Sequence, residues 1–444
     1  GQIGVRNNAT LTIEAGTVIY GKAAVAPAVP GALIVEQGSK LIAIGTETNP
    51  IVFTSYRKVD NDATTAPLAG DFGGIVLLGK ARTNLTSATT IEGVSADLAS
   101  WATYGLGTDD SDNSGTLQYV RIEYAGYSIE ANKEINGLTC AGVGSGTTLD
   151  HIEVYYGKDD AFEFFGGTVN ASYLLAYAQE DDGLDFDNGY TGTINYAVVI
   201  SDLAGSHTAA SSGTAGDSNA IECDNNSGGT LTSLTTKPVL KNITIVGAKV
   251  PTSWNTTTVS NGALLYGARF RRATNFDMQN SVIIGYPIAL RVEGLTGRYL
   301  VGVDSTRTRN GVTTVIGSKT GTKKSTFQNN YVQSFSSALS YATSTNDVVG
   351  NTPLAANVNG TYLATKFKCI VDESNTSNSN YNSSLSKSVF IQPFVNATGA
   401  VNLGNSTSGS AKSAAQGHLA PTMIAGVNTR PTWGKNWTAG VYGF

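Results

Sequence analysis

Carboxylates recur in this sequence at a spacing that would stack them. Asp159-Asp-Ala-Phe-Glu-Phe is matched 22 residues on by Asp181-Asp-Gly-Leu-Asp-Phe-Asp-Asn, and Ser218-Asn-Ala-Ile-Glu-Cys-Asp-Asn continues the pattern. If each copy is a strand, alternation turns Phe162, Phe164, Leu184, Phe186, Ile221 and Cys223 inward. Glu163, Asp185 and Glu222 then point outward in one file. Asp187 and Asp224 form a second file two residues on, and Asp160 and Asp182 sit at the turn before it. Neighbouring strands lie about 4.8 Å apart. Two carboxylates at that distance repel by about 0.9 kcal/mol in water and about 3.5 kcal/mol at an effective dielectric near 20. Like charges opposite each other destabilise a sheet, so a file three deep calls for compensation. A bound cation, a shared proton with a raised pKa, or nearby Lys and Arg would each supply it. Calcium suits a flexible cluster of carboxylates and Asn carbonyls, with Glu163, Asp185, Asp187, Glu222 and Asp224 as candidate ligands. Lys158 is a candidate for partial neutralisation.

The same residues carry two other readings. Paired carboxylates can act as acid and base on a glycosidic bond, their separation setting the stereochemical outcome. Asp160, Glu163, Asp182 and Asp185 are the candidates for that role. The plainer reading is a solvated acidic face holding a structural calcium. Tyr155, Tyr156 and Tyr177 lie near the acidic file in sequence and offer rigid amphipathic rings; with Lys158 they are candidate ligand-binding residues. His151, beside Glu153, reads as a structural turn residue, and His207 and His418 carry no partner motif. Arg269, Arg271 and Arg272 form the one tight basic group and read as a solvated strand face.

These files exist only if the chain repeats. An apolar-polar-variable-small-apolar pattern starts at Leu117, Leu149, Val169, Ile194, Leu240 and Met278. Thr116, Thr148, Thr168 and Thr193 precede the first four copies. Leu11-Thr-Ile-Glu-Ala-Gly and Leu33-Ile-Val-Glu-Gln-Gly recur at an offset of 22. One β-helix turn needs roughly 20–25 residues, three short strands plus turns. The longer spacings, 32, 46 and 38 residues, then hold insertions, or in the 46 a second turn. One turn cannot bury its own apolar side, but stacked turns bury a continuous column. The expected fold is a right-handed parallel β-helix over residues 1–302. Residues 303–444, rich in Asn, Ser and Thr, read as loop-bearing turns and a C-terminal cap continuous with the same domain. Trp433 and Trp437 are large enough to cover an open apolar end.

Composition fits this architecture. Asp, Glu, Lys and Arg make up 14% of the 444 residues, well below the usual quarter, and there are 51 glycines. The net charge of −5 and the lack of a basic stripe argue against a nucleic-acid partner. Three cysteines without a CxxC signal neither a disulfide framework nor a zinc site. No apolar run approaches the length of a membrane-spanning helix. The start at Gly1 reads as a mature or trimmed end, with any lipid anchor upstream of it.

Leu11-Thr-Ile-Glu-Ala-Gly-Thr-Val-Ile, Ile51-Val-Phe-Thr-Ser and Gly73-Gly-Ile-Val-Leu-Leu-Gly-Lys carry a resemblance. So do Ser114-Gly-Thr-Leu-Gln-Tyr-Val-Arg-Ile-Glu-Tyr-Ala-Gly, Asp159-Asp-Ala-Phe-Glu-Phe-Phe-Gly-Gly-Thr-Val-Asn and the closing Trp437-Thr-Ala-Gly. Together they resemble predicted surface or secreted β-helix proteins of Bacteroidetes-type bacteria, over roughly residues 9–300 and the last dozen. The resemblance implies the fold and an envelope location, often as a lipoprotein, and no catalytic residues. Asp304-Ser-Thr resembles the short O-glycosylation signal of that group.

Three functions are expected to compete. The first is a non-enzymatic surface protein binding glycan or another envelope partner along a sheet face, with calcium as its possible ion. The second is a polysaccharide lyase or glycoside hydrolase. The Gly-His-Gly and Arg-Ile-Lys motifs of the β-helical hydrolases are absent. The third is a structural or adhesive spacer.

Overall fold

The computed structural model describes residues 1–22, 29–130, 133–201, 218–230, 232–247, 264–301, 305–309, 312–316, 325–342, 359–372, 390–392 and 402–405. Parallel strands stack in three columns, here called faces A, B and C. Face A runs through Ile3–Val5, Ala32–Val35, Gly74–Leu78, Leu138–Ala141, Phe162–Phe165, Leu184–Asp187, Ile221–Cys223 and Tyr266–Phe270. Faces B and C share single long strands, among them Gly115–Glu123, Thr148–Tyr155, Asn170–Tyr177, Thr193–Ile200 and Val239–Val246. Each of these bends at one residue with positive φ: Tyr119, His151, Tyr173, Tyr196 and Asn242, at 51° to 61°. One left-handed residue turns the chain from B to C without spending a loop. His151 is such a corner residue, stacked between Tyr119 and Tyr173 at 4.4 Å from each ring.

This is the right-handed parallel β-helix expected from the repeat, and its interior is the apolar half of each alternation. Leu117, Leu149, Ile194, Leu240 and Met278 share one inward column, and Phe162, Phe164, Leu184, Phe186, Ile221 and Cys223 another. The register corrects two details and decides a third. Leu149 pairs with Ala171, so the third copy starts at Ala171 rather than Val169, and Asn170 stands where Thr was expected. A slip of two residues keeps every side chain on its face, so the apolar pattern alone does not fix it. Leu11 pairs with Leu41, and Leu33 with Ile3, because the similar strands within one coil lie on different faces. Thr193 pairs with Val239, so the 46-residue spacing is one coil with an insertion.

The described insertions flank face A. Segments 56–73 and 124–137 leave at its C side and segment 79–114 at its B side, whereas the B–C bend carries none from Gly115 to Val246. Segment 79–114 lays Ile91, Ala102 and Tyr104 over the outward residues Ile34, Val76, Leu78 and Phe165, making a second small core outside face A. The stack continues past residue 302 through Thr326–Gln328, Tyr331–Ala342 and Ile370–Asp372. Helix α1, Gly294–Val301, precedes these coils. Helix α2, Gly360–Phe367, is capped by the Asn359 side chain and places Leu363 in the main core, closing that end. Trp433, Trp437, His207, His418 and Asp304 lie outside the described residues. Cys140, Cys223 and Cys369 are buried free thiols. Among the described residues no helix is long and apolar enough to cross a membrane.

Candidate functional site

On the outward side of face A the rungs read Thr139, Glu163, Asp185, Glu222, Arg269 and Arg291 in strict register. Two residues on, Asp187 pairs opposite Phe165. The Asp224 N–H donates to Phe186 O (2.8 Å) and the Arg271 N–H to Cys223 O (3.0 Å), so Asp187, Asp224 and Arg271 occupy successive rungs. At the turn before the strand, Asp160 and Asp182 stack in the same way. Asp160 Oδ1 accepts the Asp182 N–H at 2.7 Å, and Asp182 Oδ1 accepts the Asn219 N–H. Each turn carboxylate thus fastens the backbone of the next coil.

The three files meet in a cleft of about 300 Å³, to which Asp159 and Asp181 also contribute. Its walls come from the insertions: Glu92 from segment 79–114, and Glu134 from the hairpin Tyr127–Glu130/Lys133–Ile135. Neither was singled out in the sequence, since nothing local to either residue tells where an insertion folds back. The plainer expectation of a solvated acidic face needs correction. Asp160, Glu163, Asp182, Glu222 and Asp224 are only 4–7% exposed, because the insertions rise beside the strands.

Compensation is uneven along the cleft. Arg269 Nη1 lies 3.3 Å from Glu222, Arg271 pairs with both Glu222 and Asp224 (2.8 Å to the latter), and Arg272 reaches Asp224 at 2.6 Å. The three arginines are therefore the ion-pair partners of the last acidic rung, not the solvated face expected. Arg271 and Arg272 also line the cleft. Lys158 instead pairs with Glu180, 2.5 Å away. Among the described residues no Lys or Arg forms an ion pair with Asp160, Glu163, Asp182, Asp185 or Asp187.

Their protonation reflects this. Burial pushes the carboxyls of Asp160, Glu163, Asp182 and Asp185 well above the usual range, and neighbouring carboxylates push them further. Asp187 is raised to about 7 by burial and then by Asp224. Glu92 is raised to about 8, chiefly by burial, and is hydrogen-bonded to Glu163. That contact requires a proton on one of the two carboxyls. The Asn136 amide also donates to Glu163.

Tyr155, Tyr156 and Tyr177 do not line the cleft. Tyr155 stacks on Tyr177 at 5.2 Å and meets Tyr156 edge-on at 4.6 Å, at the corner between faces C and A. Cation geometry is present elsewhere. Carboxylate oxygens of Asp160, Asp182 and Asp185 all lie within 4.8 Å of one another, and so do those of Asp159, Asp160 and Asp181. With calcium–oxygen distances of about 2.3–2.6 Å, three such oxygens can share one ion. Of the expected ligands, Asp185 falls in such a group, whereas Glu222 and Asp224 are taken up by arginine.

A solenoid with a walled, polar cleft on one sheet face is the class that this architecture defines. Residues 1–309 match the family described as pectate-lyase-like β-helix domain, and the chain belongs to that family. No curated protein and no solved structure matches the chain.

Proposed function

We propose that the protein is a non-enzymatic binding protein of the cell surface or the secreted space, whose face A cleft takes up calcium and, through it, a hydroxyl-rich glycan or another envelope component. One observation carries this reading: Asp160, Asp182 and Asp185 converge within the span of a single ion, with no described Lys or Arg paired to them. Buried carboxylates left this way must hold protons or a cation, and a calcium ion would be met by the Asp oxygens and complete its shell with water or ligand hydroxyls. When bound, calcium would supply a positive centre for polar ligand oxygens. The chain's own residues would fix its position, with Asp160 and Asp182 themselves held by backbone N–H groups of the next coil.

The test is calorimetric titration of the metal-free chain with calcium, followed by a glycan screen with calcium and with chelator. Binding of calcium by the parent and not by an Asp182→Asn, Asp185→Asn variant supports the reading, and equal behaviour of the two defeats it. A glycan bound only in the presence of calcium identifies the ligand class.

Catalysis is a second reading, favoured by Glu92, which holds its proton to about pH 8 beside Glu163 in a cleft of ionisable neighbours. A protonated carboxyl next to a carboxylate is the pairing of a glycosidase. Release of reducing ends or unsaturated products, lost in Glu163→Gln or Asp185→Asn, would move the protein to that class.

A further inference from the structure

The doublets Asp159-Asp160 and Asp181-Asp182 stand on successive coils at the turn into face A, and together make a two-by-two array of carboxyls. One side of the array closes with Asp185 of the strand file, which is the proposed calcium site. The other side closes by itself: oxygens of Asp159, Asp160 and Asp181 lie within 4.8 Å of one another. Asp160 belongs to both groups, and a carboxylate has two oxygens with lone pairs enough for two partners. Among the described residues eleven carboxyls line the cleft against two arginines, so one divalent ion offsets only part of the charge.

Asn136 gives an independent sign of a ligand here. The Gly137 N–H donates to Asp160 O at 2.9 Å, which places Asn136 in the turn file one coil before Asp160. The file thus runs Asn136, Asp160, Asp182, Asn219, two carboxylates bracketed by two amides. Asn136 is 1% exposed. Its amide nitrogen donates to Glu163, a lining residue of the cleft, and at 3.3 Å to Thr139 Oγ1. The amide is therefore at the cleft, yet its Oδ1 is buried and accepts no hydrogen bond. A buried acceptor without a donor is costly. A side-chain carbonyl oxygen is also an ordinary calcium ligand.

We propose that face A takes a second cation, held by Asp159, Asp160 and Asp181, with Asn136 Oδ1 as a neutral ligand and Asp160 shared with the first ion. This rests on the reading of Asp160, Asp182 and Asp185 as a calcium site. Two ions joined through one carboxylate sit about 3.5–4 Å apart. The second ion is the weaker of the two, because it lies beside an existing positive charge and Asp181 is only half-buried. It therefore fills at higher calcium than the first, and it is the site left in Asp182→Asn, Asp185→Asn.

Calcium titration of the full chain, carried to about 10 mM so as to pass the range of weak extracellular sites, is expected to return two ions per chain. Asp159→Asn, Asp181→Asn is expected to return one, and Asn136→Leu to bind the second ion several-fold more weakly. One ion in the parent, or two in the double variant, overturns the second site and leaves the first standing, as does an undiminished second ion in Asn136→Leu. No ion at all in the parent defeats the calcium reading and the second site with it. A further measurement needs no variant. The parent loaded with an equal mixture of terbium and europium is expected to show a terbium emission lifetime several-fold shorter than with terbium alone, since neighbouring ions exchange excitation. An unchanged lifetime with both lanthanides bound overturns the proposal.

Discussion

The acidic ladder of face A has two ends built from the same residue types and stabilised in different ways. At one end Glu222 and Asp224 sit under Arg269, Arg271 and Arg272, buried but paired. One and two rungs away, Asp185, Glu163, Asp160 and Asp182 have no such ion-pair partner among the described residues, and their carboxyls are pushed upward. Strand geometry and spacing are the same at both ends, so the difference lies in what supplies positive charge. At the arginine end the protein brings its own. At the other end it leaves a demand that protons meet up to about pH 7 to 8, and that a bound ion could meet in their place. A cleft with a fixed positive end and an unsatisfied negative end is suited to taking something up.

The largest expected effect comes from breaking the paired end. Arg271→Met leaves Glu222 and Asp224 buried with part of their compensation gone. Loss of one partner of a buried ion pair costs about 3 kcal/mol or more. Denaturant unfolding at neutral pH should show that loss, and a change below about 1 kcal/mol would mean that the arginines are ornamental to the fold. Asp185→Asn should act in the opposite direction at pH 8, raising the stability of the metal-free chain by about 1 kcal/mol through relief of like-charge repulsion. The two substitutions, three rungs or fewer apart, separate the ends by the sign of their effect.

Calcium should sharpen the contrast next. An ion bound only by the folded state stabilises it by about 2.7 kcal/mol at a hundredfold excess over Kd. The melting temperature should therefore rise with calcium and fall with chelator, and the shift should vanish in Asp182→Asn, Asp185→Asn. A variant at Glu222 that retained the full shift would confine the ion to the unpaired end.

How far the ladder could be read from the sequence follows from its physics. Asp159-Asp-Ala-Phe-Glu-Phe and Asp181-Asp-Gly-Leu-Asp-Phe are single-coil neighbours, so their offset states the register directly, and Glu163 does stack on Asp185 and Glu222. The three-faced coil was legible for the same reason. Glu92 was not, since it reaches Glu163 from an insertion whose path depends on Ile91 and Tyr104 packing against Val76 and Phe165. The role of Arg269 was hidden by an insertion too: 47 residues separate it from Glu222, and spacing alone does not show that only one coil intervenes. Val169 and Ala171 show a limit of another kind, because a two-residue slip leaves the pattern of faces unchanged.

A pH titration of the metal-free chain probes the unpaired end through its proton demand. Glu92 holds its proton to about 8 in the folded chain against an ordinary value of 4.5, and Asp187 to about 7 against 3.8. Between those limits the folded state binds more protons than the unfolded state, so stability falls as pH rises. The contribution is complete below about pH 4 and is lost through pH 7 to 8. Other groups also titrate at the acid end, so the diagnostic window is pH 5.5 to 8.5. There the melting temperature should decline without calcium and stay flatter with it. A decline of equal slope in both would mean that calcium does not replace the protons.

The smallest expected effect belongs to Lys158, whose sequence position beside Asp159 made it a candidate to neutralise the ladder. Its ammonium lies instead on Glu180, with the side chain 40% exposed. Glu180 is buried, but the ammonium end of the pair is open to solvent, and a pair screened in this way contributes roughly 0–1 kcal/mol. Lys158→Ala should therefore change unfolding free energy by less than about 1 kcal/mol and leave calcium affinity and the pH slope as they were. A several-fold rise in calcium affinity in this variant would show that Lys158 does weaken the field in the cleft, and the unpaired end would then be less unpaired than its contacts imply. The comparison between the two ends thus depends as much on this near-silent substitution as on the disruptive one at Arg271.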